Sequence, residues 1–232
     1  MLSKDHPVLS IVIPALNEGK NVKATIDALK KSAITCPYDI VVVDGGSEDT
    51  TIDEARQRGA QVIKCGRGRG KQLAAGGKQA MGAWLLFLHA DTELEAGWFK
   101  EVEQFITNNT EVRRAGVFSY MLDNDTPAAG LLEAIVNWRT CTLALPYGDQ
   151  GLLISNVFYR YLNGYAHIAI MEDVEIVRRI GRGRLHVFKS HAITSSYKYQ
   201  RDGYIFRSLK NFLCLVLYFL GFQPQLIAKI YQ

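Results

Sequence analysis

Cysteine is scarce in this chain of 232 residues: Cys36, Cys65, Cys141 and Cys214 stand far apart, with no Cys-x-x-Cys pair and no histidine ladder nearby. That spacing argues against a structural zinc site and suits scattered buried thiols in a reducing cytoplasm. A large charge of one sign is also missing. The formal balance is +4 at pH 7, and no dense basic stripe of the kind nucleic acid requires is present. The start, Met1-Leu2-Ser3-Lys4-Asp5-His6-Pro7, lacks the apolar stretch of a signal peptide. One segment invites a membrane reading, the charge-free run over 212–222, but its eleven residues fall short of the ~20 that cross a bilayer. It reads as a buried helix, with an interfacial helix left open. Repeats, low-complexity tracts and Pro/Ser-rich linkers are absent, so nothing marks a domain boundary. The length suits one domain, which buries roughly 70% of the surface of its unfolded chain.

What is present is a regular alternation. Val8-Leu9-Ser10-Ile11-Val12-Ile13 is a short apolar, β-branched run that Pro14 should stop. Val22, Ile26, Leu29 and Ala33 then recur at helical spacing, with Lys23, Asp27 and Lys30 opposite. Ile40-Val41-Val42-Val43 is apolar on both faces, as a central parallel strand should be. A helix over 51–58 closed by Gly59, a strand over 61–63, a helix over 71–81 and a strand over 84–88 follow. Four strand–helix alternations in ninety residues imply a largely parallel sheet with helices on both faces. Beyond them the pattern predicts helices over 95–108, 128–145 and 174–180, and strands over 116–122 and 185–188.

In an open α/β sheet, ligands bind beyond the carboxyl ends of the parallel strands. Three strands end there in polar or acidic groups: Pro14-Ala15-Leu16-Asn17-Glu18, Asp44-Gly45-Gly46-Ser47-Glu48-Asp49-Thr50, and His89-Ala90-Asp91-Thr92. Asp49 and Thr50 taken alone read as helix caps. The three sets on one sheet edge suit a nucleotide diphosphate. A carboxylate such as Asp44 can accept from a base N–H or ribose hydroxyls, and Gly45 and Gly46 let the backbone turn tightly. Asp91 is a hard oxygen ligand suited to Mg²⁺ or Mn²⁺. A mild positive excess near such a site helps to attract the anion.

These three segments, in this order, together with the later Met171-Glu172-Asp173, resemble family 2 glycosyltransferases of the GT-A fold. The likeness spans most of the chain, and its closest form is a bacterial subgroup of small stand-alone transferases with His-Ala-Asp-Thr and Gly-Arg-Gly-x-x-x-Gln segments. The resemblance implies a Rossmann-like α/β domain with a mostly parallel central sheet. Its nucleotide-binding half would be 1–92, its acceptor-side half 93–202, and C-terminal helices would occupy 203–232. It implies Pro14, Ala15, Asn17, Glu18, Asp44, Gly45, Arg69, Gln72 and Ala90 as nucleotide-binding residues, and Asp91 as the metal ligand. It implies Asp173 as the general base of an inverting displacement, whose other reading is a helix N-terminal acid favoured by the dipole. Asp149, Gln150 and Glu172 would face the sugar or acceptor. His89 stands where the family has an acid, and is a metal ligand, a ribose partner or a spacer. A late histidine completes the metal site in several relatives, which makes His191 a candidate, though local hydrogen bonding accounts for it as well.

Gly66-Arg67-Gly68-Arg69-Gly70-Lys71-Gln72 is basic and glycine-rich before a helix, so it reads equally as an anion site or a solvated loop. It is neither a P-loop nor a dinucleotide fingerprint. Gly148-Asp149-Gln150-Gly151 is the cleft floor by resemblance, or a plain turn. Tyr197-Lys198-Tyr199-Gln200-Arg201-Asp202-Gly203 loosely resembles the late element of processive members without its tryptophan, and the lack of long transmembrane helices to form a channel favours single transfer. The expected partners are a divalent metal, a nucleotide-sugar donor (UDP by default) and an acceptor that is lipid-linked or small. Peripheral membrane contact and self-association are left open by the apolar C-terminal segment. The rival functions are a sugar-phosphate nucleotidyltransferase, which the Pro14–Glu18 loop argues against, and a non-catalytic nucleotide-sugar binder.

Overall fold

The computed structural model describes residues 7–109 and 113–231. The opening residues 1–6, read above for the lack of an apolar leader, lie outside the described residues. Along the chain run β1 (Leu9–Ala15), α1 (Gly19–Lys31), β2 (Tyr38–Asp44), α2 (Thr51–Gln57), β3 (Gln61–Lys64), α3 (Arg69–Gln79), β4 (Trp84–Phe87), β5 (Thr92–Leu94), α4 (Trp98–Asn108) and β6 (Ala115–Leu122). They are followed by α5 (Pro127–Leu143), β7 (Leu152–Ser155), α6 (Asn156–Tyr161), α7 (Glu172–Ile180), β8 (Leu185–Thr194), α8 (Tyr197–Asp202), α9 (Tyr204–Phe219) and α10 (Pro224–Tyr231).

The strands form one eight-stranded sheet in the order β3-β2-β1-β4-β7-β6-β8-β5. From β3 to β4 every pair is parallel. Beyond β4 the pairs are antiparallel except β6 with β8, so the sheet is mixed and its parallel part is the predicted βαβ half. Side chains alternate across the sheet with period two. Leu9, Ile11 and Ile13 of β1 pack with Val22, Ile26 and Leu29 of α1 and with Trp98 and Val102 of α4 on one face. Val12, Val43, Leu85 and Phe87 pack with Leu73 of α3, Phe158 of α6 and Ile176 of α7 on the other.

Two details depart from expectation. Pro14 does not stop β1, which continues to Ala15. The ladder to β4 ends at Val12, whose carbonyl takes the Leu88 N–H at 3.0 Å. Because the N–H that Pro14 lacks faces that side, no ladder bond is lost. In α3, Gly76 is buried because a Cβ there would lie 2.3 Å from Val12 Cγ1 and 2.8 Å from Val43 Cγ2. The missing side chain lets α3 settle directly on β1 and β2, which brings its N-terminus to the strand ends.

Candidate active site

The ends of β1, β2 and β4 are neighbours at one edge of the sheet, and their loops are tied together there. Asn17, in the left-handed region at φ 55°, donates its backbone N–H to Ser47 Oγ and accepts the Glu48 N–H, both at 2.9 Å. Glu18 N donates to Thr51 Oγ1 at 2.8 Å and Gly19 N to Asp49 Oδ2 at 3.0 Å. Asp44 is buried, and its carboxylate accepts the backbone N–H groups of Gly46 and Ser47 at 2.9–3.2 Å. Gly45 N donates to Ala15 O at 2.9 Å.

Beside these loops lie two continuous lobes of one cleft. The first is lined by Pro14, Ala15, Glu18, Arg67, Ala90 and others. The second is lined by Tyr147, Gly148, Asp149, Met171, Asp173 and others. Arg69, His89, Asp91, Lys198, Arg207 and Tyr231 border both. Thus Pro14, Ala15, Glu18, Arg69, Gln72, Ala90 and Asp91 converge with Asp149 and Asp173, whereas Asn17, Asp44 and Gly45 line neither lobe.

The turn that carries Asp91 is anchored from below, because Thr25 Oγ1 of α1 donates to Ala90 O at 2.7 Å. Asp91 exposes 15% of its side chain and accepts from Lys198 Nζ at 3.3 Å. Burial works against its charge, but the charge His89 carries when protonated, together with the Lys198 ammonium and its hydrogen bond, holds the carboxyl below its usual range. His89 is pushed down to about 4 by burial and by the Arg69 guanidinium, so it is neutral at neutral pH. Its Nε2 lies where a Cβ on Gly148 would come within 2.6 Å, so a side chain at 148 would push the ring from its place.

Asp173 stands in the first turn of α7, which Met171 enters in the left-handed region at φ 66°. Asp173 Oδ2 accepts the Gly148 N–H at 2.7 Å and Oδ1 accepts the Val174 N–H at 2.8 Å. Its neighbour Glu172 is buried and accepts from Arg69 Nε at 2.7 Å, while Arg69 keeps 41% of its side chain exposed toward the cleft. Burial pushes Asp149 up to about 6 despite the pull of Arg139, and its Oδ1 is buried without a partner.

Four expectations are corrected by where the side chains go. Gln72 borders the cleft, but its Nε2 donates to Ala15 O at 2.8 Å and Val43 O at 2.9 Å, so it clamps two strand ends instead of offering an amide to ligand. Gln150 is fully buried and donates to Phe118 O at 2.9 Å, while its Oε1 accepts from Thr140 Oγ1 at 2.9 Å. His191 is bonded through Nδ1 to Glu95 Oε2 at 2.8 Å and does not border the cleft, so it is not placed with Asp91. Glu172, expected toward sugar or acceptor, instead holds Arg69. The sequence reading missed Lys198, Tyr147, Arg207 and Tyr231. The only signal was the aromatic and basic mix over 197–203, which α8 turns toward Asp91.

A family model described as glycosyl transferase family 2 matches residues 10–151. The chain belongs to that family. It is 37% identical over 109 residues to a PGL/p-HBAD biosynthesis glycosyltransferase of Mycobacterium bovis (strain BCG / Pasteur 1173P2), covering 43% of this chain and 42% of the relative. The chain spans less than half the length of the curated relatives it matches first. Among solved structures it is similar to the mannosyltransferase PcManGT from Pyrobaculum calidifontis in complex with GDP-Man and Mn²⁺, with a TM-score of 0.67 and 16% identity over 98% of this chain and 69% of that one. It is also similar to S. aureus TarS 1–349 in complex with UDP, with a TM-score of 0.62 and 16% identity over 96% of this chain and 69% of that one. At that identity the likeness shows the fold, which is GT-A.

The cleft chemistry fits the small divalent cation that such a fold implies. Asp91 offers a hard carboxylate oxygen, and neutral His89 lies beside it. Among the described residues no cluster of three or more His, Cys, Asp or Glu side chains could hold a metal. An ion at Asp91 would therefore draw most of its ligands from diphosphate and water, as Mg²⁺ and Mn²⁺ do in nucleotide sites.

Proposed function

We propose that this chain moves a sugar from a nucleotide-diphosphate donor, UDP-linked by default, to an acceptor hydroxyl by an inverting single displacement. The observation that carries this reading is the convergence of Asp91, Arg69 and Asp173 on one cleft at the ends of the parallel strands. The donor lies in the lobe formed by Pro14, Ala15, Glu18 and Ala90, with its diphosphate toward Arg69 and Asp91. The GDP-Man, UDP and Mn²⁺ held by the two structural neighbours support a nucleotide-sugar donor and a divalent metal. Residues 1–92 serve as the nucleotide-binding half and 93–202 as the acceptor side, followed by the C-terminal helices.

Asp91, with His89 as a second donor, would hold Mg²⁺ or Mn²⁺, which when bound supplies positive charge to offset that on the departing diphosphate. The chain's own groups do the rest. Arg69, aimed by Glu172, and Lys198 present cationic donors to the phosphate oxygens. Asp173 is held in place by the Gly148 N–H, and each of its oxygens keeps a lone pair for an acceptor hydroxyl. It takes the hydroxyl proton as that oxygen attacks the anomeric carbon and the bond to the diphosphate breaks, leaving the sugar inverted. A protonated His89 would add a buried positive charge beside Arg69, so its neutral state spares the site that repulsion.

Calorimetric titration with UDP, GDP and their sugar conjugates, with and without Mn²⁺, tests the donor assignment. Metal-dependent binding of one nucleotide is expected, and Asp91→Ala should abolish that dependence. Asp173→Asn should keep donor binding while turnover falls by about 10²–10⁴-fold, the usual worth of general-base catalysis. Unchanged turnover removes the base assignment, and no nucleotide binding by the unaltered chain removes the whole reading.

A further inference from the structure

Helix α9 wears its apolar side outward. Ile205, Leu209, Phe212, Val216 and Phe219 recur every three or four residues, which places them on one helical face. They are 79%, 61%, 62%, 36% and 48% exposed. The helix buries only Cys214 and Leu215 beneath it. Phe222, Leu226 and Ile230 continue the exposed apolar surface through α10, and α5, which packs on α9, exposes Ile135 and Trp138. A soluble surface rarely leaves so long an apolar row open to water unless something covers it.

The charges around that row say what the cover is. Between Tyr197 and Tyr231 the basic residues are Lys198, Arg201, Arg207, Lys210 and Lys229, and the single acid is Asp202; Lys198 and Arg207 border the cleft, which leaves Arg201, Lys210 and Lys229 outside it. Arg201 and Arg207 both pair with Asp202, so no acid is left over in the segment. Arg178 of α7 adds a cation over the Phe219 ring, 5.1 Å from its centroid. A second copy of the chain meeting this face isologously would bring the same unbalanced cations together. An apolar face flanked by cations is instead complementary to a sheet of acyl chains under anionic headgroups. No helix among the described residues is long and apolar enough to cross a membrane, so the fit is to the surface.

We propose that the outward face of α9 and α10 docks on an anionic lipid bilayer. The same two helices supply Arg207, Asn211 and Tyr231 to the lobe that holds Asp173. Docking therefore brings the acceptor side of the cleft to the bilayer surface, where it would receive an acceptor anchored in lipid. The acceptor clause rests on the glycosyl-transfer reading; the docking clause does not.

Flotation of the full chain with vesicles tests docking without any turnover. The chain should float with phosphatidylcholine vesicles that contain phosphatidylglycerol, float less in high salt, and stay at the bottom with phosphatidylcholine alone. The double variant Phe212→Glu/Val216→Glu should lose roughly tenfold or more of its vesicle affinity, given the apolar area withdrawn from lipid. Circular dichroism should show its fold intact, since both positions face solvent. Val157→Glu, on α6 and more exposed than either, should float as the unaltered chain does. An unaltered chain that stays at the bottom with anionic vesicles overturns the proposal. So does a dimer in sedimentation that the double variant dissociates, because a second copy would then be the cover. Vesicle binding with no nucleotide binding would leave docking standing and remove only the transfer reading.

Discussion

At the scale of single residues, the cleft is shaped by polar groups placed where they cost stability. Asp149 shows this most clearly, since its carboxyl is buried beside Asp173 and raised from an ordinary 3.8 to about 6. A raised acid binds more protons in the folded state than in the unfolded one, so folding stability falls as pH rises from about 4 to about 6. At about 1.4 kcal/mol per tenfold, that shift is worth at most about 3 kcal/mol. Asp149→Asn removes the effect. Urea midpoints should match the unaltered chain below pH 4 and exceed it above pH 6, and a constant offset at every pH would refute the assignment. The same scale shows why residue type alone misleads. Gln72 and Gln150 looked like ligand contacts because a polar side chain near a site reads alike whether its amide faces a ligand or a backbone carbonyl. Only the fold reveals that Ala15 O, Val43 O and Phe118 O use those amides.

At the scale of elements, the parallel half was legible because β1, β2 and β4 are apolar on both faces and α1 carries one clean apolar stripe. The antiparallel half was not. Strand β5 has three residues, and β7 is a Leu-Leu-Ile-Ser run too short to separate from a buried turn by periodicity. Helix α9 defeats the amphipathic rule, since its exposed row is as apolar as its buried one. Where a helix must touch the sheet closely, glycine marks the contact. Gly76→Ala would drive a methyl against Val12 and Val43, which should cost about 1–3 kcal/mol of overpacking, more than the ~1 kcal/mol that alanine gains in helix propensity. Gly130 in α5 is the control, because a Cβ there meets nothing within 4 Å. Gly130→Ala should raise the melting temperature and Gly76→Ala lower it. If both raise it, α3 does not sit on the sheet as described. A loosened α3 would also carry Arg69 away from Asp91, so nucleotide affinity should fall with Gly76→Ala and hold with Gly130→Ala.

At the scale of the molecule, burial is distributed unevenly, and the cleft lies on the seam. Every residue of β1 is buried, whereas α9 buries two side chains and α10 only Ile227. Those three residues pack on Ile170, Met171 and Val174, the segment that leads into α7 and sets Asp173. Segments with few buried contacts open by themselves at a fraction of the free energy of global unfolding. Amides of α9 and α10 should therefore exchange with solvent well before those of β1, β2 and β4 in hydrogen-exchange measurements. Opening would withdraw Arg207, Asn211 and Tyr231 from the lobe that holds Asp173 and uncover the start of α7, so the frequency of opening limits how long a complete cleft exists. Anionic vesicles should slow exchange in α9 and α10 while leaving the sheet amides unchanged, because a docked helix loses its route to water and the sheet gains nothing. Uniform exchange across helices and sheet would mean that the C-terminal helices unfold only with the whole domain. The cleft would then be permanently assembled, and lipid would serve to place the protein without completing its site.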